Sequence, residues 1–115
     1  MDKLEKMFAD IRQEIEDTRQ KFPGNHHKLA VLSEEVGELA QAMLQHEYDG
    51  QPAINVYREA VQVAAMAIRV AIEGDHSFKY RHPADRNLPG AEDMRGILSL
   101  SEKEKQNLRD GKWRA

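Results

Sequence analysis

Cysteine is absent from this chain, which excludes a disulfide framework, a zinc-thiolate site and a cysteine nucleophile at once. No apolar run approaches the ~18–20 residues that a membrane-spanning helix requires, so no membrane partner is expected. The opening Met1-Asp2-Lys3-Leu4-Glu5 lacks the basic-then-apolar order of a secretory signal; a cytoplasmic location is the simplest expectation. Strong charge of one sign is missing too. The formal net charge of −3 is too mild to imply nucleic acid or a lipid surface as partner. There is no glycine-rich phosphate loop, no dinucleotide glycine fingerprint and no nucleophile elbow.

What is present reads as helix. A chain of 115 residues, 40% hydrophobic and 32% charged, fits a single helix-rich domain spanning 1–115, with 85–115 as a C-terminal extension or lid. A domain this short buries only about two-thirds of the surface its unfolded chain exposes, so partner subunits are a natural source of further burial. Charge is distributed unevenly: residues 1–57 hold 6 Lys/Arg against 11 Asp/Glu, and residues 58–115 hold 11 against 9. Such a split suits a metal-phosphate ligand gripped from both sides, and equally suits ordinary solvated helix faces.

Leu4, Phe8, Ile11, Ile15 and Phe22 recur at helical spacing over 3–22, and Pro23-Gly24-Asn25 ends that run. A second helix is predicted from about His27 to Glu47 on the stripe Leu29, Leu32, Val36, Leu39 and Met43. Tyr48 to Pro52 forms a loop. The third helix, about 54–73, is apolar around most of its circumference, which marks a central helix packed on all sides, with some of its neighbours in another subunit. From Ser77 to Gly90 periodicity stops. A short helix near 91–98 and a last one opened by the capping box Ser101-Glu102-Lys103-Glu104 complete the expectation: an all-α, four- to five-helix bundle.

The chemistry concentrates in Ser33-Glu34-Glu35-Val36-Gly37-Glu38-Leu39. At ~100° per residue, Val31, Leu32, Leu39 and Ala42 surround Glu35, which therefore sits in the middle of the face expected to be buried. Glu38 lies one turn on, at the edge of that stripe. Two carboxylates there repel and lose hydration unless something neutralises them, and a divalent cation with a taste for oxygen does so well. The third helix repeats the device with Glu59 and Gln62, three residues apart on the most apolar helix. Antiparallel packing of the two helices would join the pairs into one oxygen-rich pocket. The plainer alternative, Glu34 and Glu38 solvated and the others paired with arginines, stays open. Among the histidines, the adjacent His26 and His27 do not share a helix face, and His46, His76 and His82 are scattered, so no imidazole site is expected.

Leu32-Ser33-Glu34-Glu35-Val36-Gly37-Glu38-Leu39, followed by Arg58-Glu59-Ala60-Val61-Gln62-Val63-Ala64-Ala65-Met66-Ala67, resembles the MazG-like branch of the all-α nucleoside triphosphate pyrophosphohydrolases. The resemblance covers residues 27–75, roughly 40% of the chain. It matches the family's EExxE in full and its ExxD by half, because Gln62 stands where the family has aspartate. It implies magnesium, or manganese in its place, held by Glu35, Glu38, Glu59 and Gln62, with Glu34 or Glu38 orienting the attacking water. It implies a nucleoside triphosphate cleaved to monophosphate and pyrophosphate, in a homodimer or homotetramer. Lys28, Arg69, Lys79 and Arg81 are the candidate phosphate-binding cations, and Phe8, Phe22, Tyr57 and Trp113 the aromatics available to a base. Phosphoribosyl-ATP pyrophosphohydrolase, of the same superfamily, is the enzymatic alternative. A silent nucleotide-binding helical oligomer is the alternative that Gln62 argues for.

Overall fold

A computed structural model of the chain describes residues 1–24, 27–85 and 106. The chain divides into two compact units, 1–82 and 83–115. The first holds three helices, α1 at Lys3–Lys21, α2 at Lys28–Asp49 and α3 at Ala53–Glu73, and among the described residues the structure is all-α. None of these helices is long and apolar enough to cross a membrane. The helices predicted near 91–98 and 101–110 lie outside the described residues, apart from the helical Gln106.

Local chemistry sets the ends. Asp2 opens α1 by accepting the Glu5 N–H at 2.8 Å, a side-chain cap worth ~1 kcal/mol. Gly50 closes α2 in the left-handed conformation at φ 70°, which costs glycine nothing and other residues about 1 kcal/mol or more. Only Gln51 and Pro52 then separate it from α3, and so short a link makes α2 and α3 an antiparallel hairpin.

A few long-range contacts set the packing order. Asp10 of α1 meets Tyr57 near the start of α3, and Arg19 meets Glu73 at its end, so α1 runs parallel to α3. Both α1 and α2 pack on α3 and not on each other. The central helix is therefore the one the composition singled out. Ile11, Val61 and Ala65 form the core, with Met7, Ile15, Tyr57, Ala64 and Ile68 packed against it. The α2 stripe departs from expectation: Leu32 and Leu39 are half-buried, whereas Leu29, Val36 and Met43 are exposed. One neighbouring helix can cover only about a third of another's circumference, and of the described helices α3 alone packs on α2.

The start of α2 is held from a distance. His27, its N-cap, makes no capping bond through its side chain. Instead the buried Asp75 accepts the Leu29 N–H at 2.8 Å and the Ser77 N–H at 2.9 Å. Gly74 makes this reach feasible: it adopts φ 74°, and a Cβ there would stand 2.9 Å from the Tyr80 carbonyl oxygen.

Candidate functional site

The antiparallel hairpin brings the i,i+3 pair of α2 against the i,i+3 pair of α3. One carboxylate oxygen from each of Glu35, Glu38 and Glu59 lies within 4.8 Å of the others. All three side chains are half-buried, while Glu34 is exposed. Among the described residues no lysine or arginine forms an ion pair with any of the three. The arginine pairing that would have made Glu35 merely structural is thus not found there.

The electrostatic consequence is direct. Burial, then repulsion from Glu38 and Glu59, a hydrogen bond with Glu38 and the charge of Glu34 push the Glu35 carboxyl up to about 7. Glu59 is raised as well, by burial first and by Glu38 second. Like charges this close cannot all ionise without a counter-charge.

Gln62 lies between the two helices and has two ways to behave. With its nitrogen turned inward it donates to Glu35 Oε2 at 2.9 Å and to Glu59 Oε2 at 3.1 Å. With its oxygen inward it faces only acceptors, an arrangement that is unfavourable without a cation and suits a ligand when one is present. A carboxylate at this position could not donate in this way while ionised.

Two cavities flank the cluster, and Gln62 lines both. The larger, about 410 Å³, is bounded by Asp10, Gln13, Glu14, Ile54, Tyr57, Arg58, Val61 and Gln62. The smaller, about 200 Å³, is bounded by Glu14, Thr18, Lys21, Phe22, Glu35, Gln62 and Met66. Of the candidate aromatics, Tyr57 and Phe22 thus line the cavities that Gln62 borders, Phe22 together with Glu35. Phe8 lines a separate groove with Ile15, Ile68 and Ile72, and Trp113 lies outside the described residues.

None of the four candidate phosphate cations lines these cavities. Lys28 and Arg69 are buried and engaged elsewhere. Arg69 chelates Glu73 and donates to the Phe22 carbonyl at 2.8 Å; Lys28 donates to the Gly24 carbonyl at 3.1 Å and stands 3.8 Å from Glu73. Arg81 is exposed and donates to the Phe78 and Tyr80 carbonyls, and Lys79 is exposed in the same segment. Lys21 and Arg58 border the cavities instead. The two motifs single out neither these cations nor Asp10 and Glu14, yet the sequence holds a signal for α1. Asp10, Glu14, Thr18 and Lys21 fall at i, i+4, i+8 and i+11, a polar stripe beside the apolar one. Burial, then repulsion from Asp17, raises the Glu14 carboxyl above its usual range despite the opposing pull of Lys21.

No family model, curated protein or solved structure matches the chain. The chemistry of this site therefore rests on its own geometry and on the two helical motifs.

Proposed function

We propose that the chain is a magnesium-dependent nucleoside triphosphate pyrophosphohydrolase, converting an NTP or dNTP and water to the monophosphate and pyrophosphate. One observation carries this reading: three carboxylates from two helices converge without a protein cation among the described residues. The donor set fits a hard divalent ion, since every group offered is oxygen. Glu35, Glu38 and Glu59 would hold magnesium, with the Gln62 oxygen turned inward as a neutral fourth donor. When bound, the ion supplies charge neutralisation for the phosphates and the transition state.

The remaining work falls to the chain. Glu34, exposed beside the cluster, and Glu38 are the groups placed to orient a water and accept its proton as it attacks the α-phosphorus. Lys21 and Arg58 offer positive charge to the phosphate tail. Tyr57 and Phe22 offer aromatic surface to the nucleoside, whose size the larger cavity accommodates.

The same reading includes an oligomer with a fuller helical bundle. Leu29, Val36 and Met43 are 40, 49 and 53% exposed and stand seven residues apart on α2, the seam along which helices pair. Light scattering on the purified chain should give a dimer or tetramer.

The decisive assay measures pyrophosphate release from a panel of NTPs, dNTPs and phosphoribosyl-ATP with magnesium. Turnover of a nucleotide, reduced at least about 100-fold by Glu59→Gln, is expected, as loss of charge stabilisation at the reacting phosphate typically costs that much. Turnover of phosphoribosyl-ATP alone would move the assignment to that enzyme. If no substrate turns over and magnesium does not shift thermal unfolding, the pyrophosphohydrolase reading is wrong. The double donation from Gln62 would then favour a silent nucleotide-binding protein.

A further inference from the structure

A second group of metal-ligating side chains lies at the opposite end of the α2–α3 hairpin. His27 precedes α2 and Asp75 and His76 follow α3, and one donor atom from each lies within 4.8 Å of the others. Residues 48 positions apart in sequence are thus brought together by the fold, and the expectation that the histidines are scattered is corrected for this pair. We propose that His27, Asp75 and His76 form a transition-metal site, suited to zinc-type ions and not to magnesium, that fastens the start of α2 to the turn after α3.

The geometry supports this from three sides. Asp75 is 5% exposed and held by the Leu29 and Ser77 amides, so its carboxylate is fixed before any ion arrives. Each carboxylate oxygen has about two acceptor sites. Oδ1 accepts the Ser77 amide, and His76 Nδ1 already stands 3.9 Å from it. His27 hydrogen-bonds through Nδ1 to Ser77 Oγ at 3.0 Å, which orients the ring and leaves Nε2 as the ligand, as outer partners of metal-bound imidazoles commonly do. The two rings lie 4.5 Å apart between centroids. Ligand atoms on a tetrahedral zinc ion are about 3.4 Å apart, given metal–ligand distances near 2.0–2.1 Å. Both imidazoles are exposed, so their rings are the groups whose rotation would close that difference.

Ligand chemistry then separates the two clusters. Two imidazoles and one carboxylate favour zinc, nickel, cobalt or copper, whereas the all-oxygen set of Glu35, Glu38 and Glu59 favours magnesium. Three protein ligands leave a position for water or a small anion. Because Asp75 caps the first turn of α2, an ion here would hold the hairpin closed at the end where no covalent link does.

Calorimetric titration of zinc chloride tests the proposal on the full chain, freed of any histidine tag and kept in excess magnesium. One equivalent of zinc should bind and raise the thermal midpoint. His76→Ala and His27→Ala should each weaken binding by at least about tenfold, the order that even an outer partner of a ligand commands, while Glu59→Gln should leave it intact. Cobalt added to the unmodified chain should shift the imidazole proton resonances of His27 and His76, a readout independent of how any variant folds. Absent zinc binding, binding unchanged in both histidine variants, binding lost in Glu59→Gln, or cobalt shifts confined to other histidines would each overturn it.

Discussion

Two clusters of charge meet α3 about four turns apart, and they are built on opposite principles. At the Glu73 end one carboxylate receives Arg69 at 2.9 Å, Arg19 at 3.0 Å and Lys28 at 3.8 Å. At the Glu59 end three carboxylates face one another and no described cation answers them. Burial pushes the Glu73 carboxyl up, but the Arg69 and Arg19 guanidiniums outweigh it and hold the group below its usual range. Burial pushes Glu35 up and its neighbours push it further. The same residue type, on the same pair of packed elements, thus titrates in opposite directions. A carboxylate already matched by cations has a structural task. Carboxylates that lack a counter-ion are, under the proposed reading, open to a cation from solution.

The largest effect should come from dismantling the cation-matched end. Glu73→Ala leaves Arg69 and Lys28, each 1% exposed, as buried charges without their carboxylate. The expected loss is about 3–5 kcal/mol of unfolding free energy, measurable by urea titration. A loss below about 1 kcal/mol would mean that the network contributes little.

The pH dependence of stability should separate the two ends next. Glu35 ionises near 7 in the fold against 4.5 ordinarily, so its contribution is complete below about 4.5 and is lost as pH rises through 7. Glu73 has the opposite sign: its contribution is present above its ordinary value and fades as pH falls below it. In metal-free protein, raising pH from 5 to 8 should therefore cost on the order of 1–3 kcal/mol, after discount for solvent screening at a half-buried group. Glu35→Gln should flatten that slope, and magnesium should do likewise under the proposed reading. A slope indifferent to both would separate Glu35 from the titration.

Gln62→Asp sharpens the comparison further. It adds another carboxylate to the cluster and removes the two donations to Glu35 and Glu59. Magnesium should bind roughly tenfold more tightly, about 1.4 kcal/mol, with lower stability in its absence. Unchanged affinity by calorimetry would mean that Gln62 does not border the ion. The smallest effect is expected from Asp75→Asn, which keeps the shape of the α2 cap but turns one of the two accepting oxygens into an NH2 that cannot accept from Leu29 or Ser77, a loss of about 1 kcal/mol. Faster amide exchange at Leu29 would report it.

Much of this architecture is legible in the residues, for a physical reason. Helical periodicity depends on residues three and four apart, so α1, α2 and α3 and the placement of Glu35 among Val31, Leu32 and Ala42 can be read from local spacing. The pairing of Glu35 with Glu59 needs only the further assumption of a short antiparallel link, which Gly50 and Pro52 announce. The phosphate cations are not readable in the same way. Lys28 and Arg69 look like surface charges in the chain and are instead buried against the half-buried Glu73, because a buried cation needs whichever carboxylate the packing brings near. Asp75 as the cap of α2, and His27 beside His76, carry no local signal at all.

Short-range rules, then, were enough to determine the helices of the described residues, the apolar central helix and the two i,i+3 polar pairs, since each depends on a few neighbouring residues. Which charges neutralise one another, and which are left facing their own kind, depended, the i,i+4 pair Arg69–Glu73 apart, on contacts spanning 21 to 54 positions along the chain. Only tertiary packing decided that, because Coulomb energy and desolvation depend on distance and burial in space.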